Sequence, residues 1–269
     1  MRSGSSEAHR EAPGSAATGA RERPGAGMAK AAGGAGISPA GRILSGVAVA
    51  LGCVLFLGGF VWGALLYQPY TVPTDSMDPT VKPGDRVLAE RIDGDEVRRG
   101  DVVVFQDSVW GSVPMVKRVV GVGGDEVACC DSRGRLTVGD EAIDEPYVRS
   151  ARGKDAQRPF GATVVPEGKL FLLGDNRLAS LDSTAHLDEG DHGAVPRSAV
   201  QARVDAVAWP VGGLGLLERA EWTDELSGEP SEPGPVRLLA VAIPVGAVLI
   251  FGGAAWGPIA RRVNSSPRG

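Results

Sequence analysis

The chain has 269 residues and a mass of 27.8 kDa, room for one large domain or two small ones. Hydrophobic residues at 43% and charged residues at 23% exclude a collagen-like, a wholly disordered or a polytopic membrane chain, and 39 glycines with 19 prolines argue against a mostly helical fold. The net charge is −5, and three cysteines are too few for a disulfide framework.

Residues 1–42 are rich in Gly, Ala, Ser, Arg and Glu without periodicity and read as a disordered tail. From Ile43 to Tyr67 no residue is charged. As a helix that run reaches about 37 Å, enough for a hydrocarbon core of about 30 Å, and it is longer than the apolar core of a cleaved secretory signal. Residues 43–67 are therefore expected to be a retained transmembrane helix. A second uncharged stretch, Leu238 to Ala260, contains Pro244 and Pro258, and is read as a second span at 238–260, with a buried or surface-lying hairpin as the alternative.

The two ends are basic. Residues 1–42 carry a net +3 and the tail 261–269 another +3, which leaves −11 for the segment between the spans in a chain of −5. The positive-inside rule then puts both termini in the cytoplasm and the central segment outside. An acidic outer domain also excludes nucleic acid as a partner.

Within residues 68–222, short runs rich in Val recur between turn signals: Arg86 to Ile92, Asp101 to Gln106, Val113 to Val122, Arg135 to Val138, Lys169 to Leu173 and Val200 to Trp209. This spacing predicts an all-β domain, so the expected fold is mostly β, one outer domain flanked by two transmembrane helices. Residues 223–237, with three prolines and several glutamates, read as a stiff polar linker back to the membrane. No internal repeat is present.

Chemistry concentrates at two places. The stretch Tyr70 to Thr80, bracketed by Pro73 and Pro79, is a shaped loop that carries Ser76 at most about 30 Å from the end of the first span. In the run Met115-Val116-Lys117-Arg118-Val119-Val120, a strand places Lys117 on a face with Met115 and Val119. That lysine is either a surface residue on an edge or a buried amine whose charged form is disfavoured.

Pro73-Thr74-Asp75-Ser76-Met77-Asp78-Pro79-Thr80, then Val116-Lys117-Arg118-Val119-Val120-Gly121, then Gly174-Asp175-Asn176-Arg177 followed by Ser180, Asp182 and Ser183, occur in this order. Together they resemble the bacterial type I signal peptidases, over roughly Val72 to Val207 plus the anchors. The resemblance implies that Ser76 is the nucleophile and Lys117 the general base. It also implies that Thr74 joins the backbone N–H of Ser76 in an oxyanion hole, that Ser180 orients the lysine amine, and that Asp182 pairs with arginine, Arg118 among its partners. Two positions depart from the family pattern: Thr184 stands where an arginine is usual, leaving the Asp182 brace one cation short, and Leu178-Ala179 replace a polar pair.

The chemistry is consistent on its own terms, since a serine hydroxyl needs an adjacent base and a desolvated amine can supply it without histidine, metal or cofactor. The implied function is a membrane-anchored serine endopeptidase, acting as a monomer, that removes signal peptides from exported preproteins. Its substrates would carry small residues at the first and third positions before the cut. Its lipid-touching surface would lie near Val72, Met77 and Val109-Trp110.

Other readings are kept beside this one. His186 and His192, set among acids and glycines, are expected to be solvated loop residues; a Ser76-His-Asp triad and a cation site in that acidic cluster are formal alternatives. Asp175 beside Gly174 reads as a turn residue. Cys129 and Cys130 read as two thiols, because adjacent Cα atoms across a trans peptide stand too close for an ordinary disulfide. At the level of function, the alternatives are a self-cleaving repressor of related fold, which the anchors contradict, and an inactive anchored β-domain serving as a scaffold.

Overall fold

A computed structural model describes residues 39–148 and 157–264. Of the N-terminal tail proposed at 1–42, residues 1–38 lie outside the described residues and Pro39 to Arg42 belong to a helix; of the proposed C-terminal tail, 265–269 lie outside.

Helix α1 spans Pro39–Leu66 and α2 spans Val236–Asn264. Both are long and apolar enough to cross a membrane. Pro244 and Pro258 are accommodated inside a continuous α2. The helices run antiparallel: a Cβ on Gly52 would strike the carbonyl of Gly246, one on Gly63 would meet Leu239, and Ser45 Oγ donates to Gly253 O at 2.6 Å. Small residues thus let the backbones touch. The large side chains point outward, with Phe60 63% and Phe251 74% exposed. A soluble hairpin would reverse that distribution.

Between the helices, the described residues form twelve strands: β1 Tyr67–Thr71, β2 Arg86–Glu90, β3 Val102–Phe105, β4 Met115–Val122, β5 Glu126–Cys129, β6 Leu136–Val138, β7 Glu141–Ala142, β8 Phe160–Val164, β9 Lys169–Leu173, β10 Val195–Pro196, β11 Val200–Trp209 and β12 Gly215–Leu216. The fold is mostly β, as expected. The larger antiparallel sheet runs β1-β2-β11-β3-β4-β9-β10, with β12 on β11, and the smaller runs β7-β6-β5-β8. All four side chains of β3 (Val102, Val103, Val104, Phe105) are buried, which explains its continuous apolar run.

Three apolar clusters fill the domain. One, around Phe171, Leu173, Leu136 and Trp222, joins the two sheets. A second packs Val72, Met77 and Val81 of the serine loop onto β2, β3 and β11. The third packs Val103, Val119 and Leu172 against Val195 and Val200. Val72 and Met77 are therefore core residues, 2% and 0% exposed, not lipid contacts. Their placement anchors the loop, since fully burying a methionine contributes about 1.5–3 kcal/mol.

The segment 223–237, expected as a stiff polar linker, and Trp222 just before it lie against the domain. Trp222 is buried, Arg98 pairs with Glu229 at 2.9 Å, Arg99 Nη1 donates to Ser227 O at 2.8 Å, and the Ser231 hydroxyl donates to Asp101. Its polar groups find partners more than 120 residues away, a pairing no local composition displays. Cys129 and Cys130 form a vicinal disulfide across a cis peptide, where two thiols on a trans peptide were expected.

Candidate active site

The loop carrying Ser76 is shaped by its own sequence. Lys82-Pro83-Gly84-Asp85 is a tight turn with Asp85 N–H donating to Lys82 O at 3.0 Å, and Gly84 takes the positive φ of 88° that follows proline in such turns. Gly84 N–H then donates to Val72 O and Val72 N–H to Asp85 O, closing the loop on itself. Within it, Ser76 is 5% exposed.

Lys117 arrives from β4, where it pairs with Val103 of β3, and β4 lies between β3 and β9 in the sheet. Of its two readings the structure has the buried one, at 4% exposure. Its Nζ lies 2.9 Å from Ser76 Oγ, and donates to Val116 O at 3.3 Å. Burial pushes the amine below the ordinary lysine range, while the charges of Asp182 and Asp175 act in the opposite direction without contacting it. Thr74 Oγ1, at the solvent side, stands 3.2 Å from Ser76 Oγ.

The Gly174-Asp175-Asn176-Arg177 segment braces this loop from behind. Asn176 N–H donates to Ser76 O at 3.0 Å and Asn176 Nδ2 to Asp75 O at 3.1 Å. Gly174 sits so close to Ser180 and the carbonyl of Ser76 that a Cβ would collide with both. Asp175 is fully buried and is no simple turn residue: it accepts from Arg118 Nε at 2.9 Å and Arg118 Nη2 at 2.7 Å, and from Thr80 Oγ1 at 2.5 Å. Arg177 is buried against Glu145 at 2.5 Å and donates to Gly174 O at 2.9 Å.

Two assignments implied by the resemblance need correction. Arg118 pairs with Asp175 and not with Asp182; the Asp182 carboxylate accepts from Gly174 N–H at 3.1 Å and from Thr184 Oγ1 and N–H at 2.7 and 3.1 Å. Thr184 thereby supplies neutral donors in the place of the usual arginine. Among the described residues the buried Ser180 Oγ has no hydrogen-bond partner, and none is formed with the Lys117 amine. Thr80 and Asn176 stand inside the quoted motifs but were given no role there, and Glu145, far from any of those motifs in sequence, had no signal. His186 is not solvated as expected: its ring stacks on Trp110 with centroids 4.7 Å apart, beside Glu189. His192 is exposed.

A buried serine hydroxyl in contact with a buried, unpaired amine, on a strand of an antiparallel β-domain, has the composition of a Ser/Lys hydrolase. The family described as signal peptidase, peptidase S26, matches residues 43–209, and the chain belongs to it. The signal peptidase I of Bacillus licheniformis is 39% identical over 130 residues, 45% of this chain and 67% of the relative. Signal peptidase IB of Staphylococcus aureus is 32% identical over 173 residues, covering 58% and 85%. A probable signal peptidase I of Mycobacterium leprae is 30% identical over 217 residues, covering 59% and 75%.

Proposed function

We propose that this protein is a membrane-anchored serine endopeptidase that removes N-terminal signal peptides from exported preproteins, with Ser76 as nucleophile and Lys117 as general base. The 2.9 Å separation of Ser76 Oγ and Lys117 Nζ, both buried, carries the reading. With the amine neutral, the hydroxyl donates its proton to Nζ as Oγ attacks the scissile carbonyl carbon. The oxyanion that forms is met by the Ser76 N–H and the Thr74 hydroxyl, donors of the kind whose loss typically costs about 2.7–4 kcal/mol of barrier. The resulting ammonium passes the proton to the leaving amine and expels it. Water then attacks the acyl-enzyme, giving its proton to Lys117, and Ser76 leaves with that proton.

Ser180 and Asp182 shape the floor of the site: Asp182 holds the Gly174 backbone, which in turn lies against Ser76 and Ser180. Arg118 holds Asp175, which ties down Thr80 at the end of the serine loop. The two apolar helices anchor the chain in the bilayer, and the basic ends orient it with both termini in the cytoplasm and the β-domain outside. The substrate is a preprotein whose apolar segment lies in the same membrane, so the scissile bond emerges where the nucleophile is held. The scaffold alternative leaves Lys117 without a purpose, since an unpaired buried amine lowers stability and is retained at sites that use it.

In vitro cleavage of a purified preprotein by wild type, Ser76→Ala and Lys117→Ala tests this. Each variant is expected to lose activity by a factor on the order of 10⁴ or more. Cleavage surviving either change at the wild-type rate would refute the dyad.

A further inference from the structure

The two apolar helices meet the β-domain at one small cluster. α1 runs directly into β1 at Tyr67, and α2 begins at Val236. The Tyr67 hydroxyl donates to Asp205 Oδ2 at 2.8 Å and accepts from the Val236 N–H at 3.1 Å. That N–H belongs to the first turn of α2, where backbone donors have no intrahelical partner. At the other helix the roles repeat: Arg91 of the β-domain donates from its N–H to Leu66 O at 2.9 Å, and from Nη1 to Leu65 O at 2.9 Å and Tyr67 O at 3.2 Å. These are last-turn carbonyls of α1 and the residue after it, groups that a cation satisfies well.

Behind these contacts, Arg203 of β11 bonds Glu90 at 2.6 Å and Asp205 at 3.3 Å, which fixes the carboxylate that receives Tyr67. Gly234 passes so close to Tyr67 and Glu90 that no Cβ would fit. Tyr67, Ala206, Val236 and Leu239 complete the junction as a buried apolar cluster. A peptide link alone would let the domain swivel on its two stalks. Here the end of each helix is instead bonded by a side chain of the larger sheet or of the residue just after one of its strands, Tyr67 of β1 and Arg91 after β2, and that sheet also carries Lys117.

We infer that this junction is a clamp that fixes the height and tilt of the β-domain over the bilayer, with Tyr67, Arg91 and Asp205 acting as positioning residues for substrates held in the membrane. The inference rests on the proposed function and adds a specificity to it. A rigid mount presents Ser76 at one distance from the lipid, so the enzyme selects preproteins by the length of chain between their apolar segment and the bond to be cut. Loosening the mount widens that selection without altering the chemistry at Ser76.

The full-length protein in lipid vesicles is the object to test, as wild type, Tyr67→Phe, Arg91→Gln and Arg91→Lys. One substrate is a short soluble peptide spanning a cleavage site. The others are membrane-inserted preproteins whose spacer between apolar segment and cut grows one residue at a time. For Tyr67→Phe and Arg91→Gln, peptide kcat/KM is expected within about twofold of wild type, while preprotein kcat/KM at the wild-type optimum spacer falls about tenfold and the spacer profile broadens. Arg91→Lys, which keeps a cationic donor, is expected to restore much of the sharp profile. An unchanged spacer profile in Tyr67→Phe and Arg91→Gln, or equal losses on peptide and preprotein, would overturn the clamp. A wild type that cleaves neither substrate would overturn the functional reading and this inference with it.

Discussion

Lys117 and Arg118 are neighbours on β4, 4% and 2% exposed, and the sheet treats them in opposite ways. Alternation sends their side chains to opposite faces. Arg118 meets a carboxylate in two-pronged geometry, donates to Gly100 O at 2.9 Å and lies 3.9 Å from the centre of the Tyr147 ring. Burial works against its charge, and the contact with Asp175 outweighs it, so the guanidinium stays charged. Lys117 meets a hydroxyl and one backbone carbonyl, no carboxylate among the described residues is bonded to it, and burial lowers its proton affinity. The lesson is that burial alone does not decide the state of a basic group. A carboxylate partner turns it into a fixed brace, and the lack of one leaves an amine of lowered proton affinity, the form that the proposed mechanism uses.

Removing the partner breaks the brace first. Asp175→Ala leaves Arg118 charged and buried without its carboxylate partner, with only Gly100 O and the Tyr147 ring still against it, and takes the acceptor from Thr80. The expected loss is about 3–5 kcal/mol in denaturant unfolding of the detergent-solubilised protein. A loss below about 1 kcal/mol would mean that the pair is not the brace described here.

A smaller effect of opposite sign is expected on the other face. Lys117→Met keeps the volume and removes the buried amine, so it should raise the melting temperature at neutral pH while abolishing cleavage. The sign follows from proton binding. Below the ordinary lysine value of about 10.4 the unfolded chain holds a proton on residue 117 that the folded chain releases earlier, so wild-type stability rises with pH and levels off above that value. The advantage of the methionine variant is therefore expected to shrink from neutral to alkaline pH; a constant advantage would indicate that Lys117 is ordinarily basic.

Much of this molecule was legible in its sequence, but unevenly. Lys169–Leu173 and Val200–Trp209 were delimited correctly because their β-branched and aliphatic runs end at turn residues. β1 was not, since Tyr67 closes an apolar span and Pro69 interrupts the strand. β5 and β8 were missed for a related reason: Glu126, Gly161 and an uneven alternation hide the two strands, and they pair with each other across more than thirty residues. At the site, motif order located Ser76 and Lys117 as candidates. It could not show that Arg118 selects Asp175 over Asp182, because both carboxylates lie in the loop after β9 and only the folded geometry separates them. Nor could it show the packing of the linker, whose partners Arg98, Arg99 and Asp101 lie far back along the chain.

The pH dependence of kcat/KM on a soluble peptide substrate tests the neutral amine most directly. With Lys117 as base, kcat/KM should rise with pH through a single ionisation lying below the usual lysine value of about 10.4, reaching a plateau once the amine is uncharged. A flat profile from mildly acidic to alkaline pH, or a rise centred at that usual value, would contradict it.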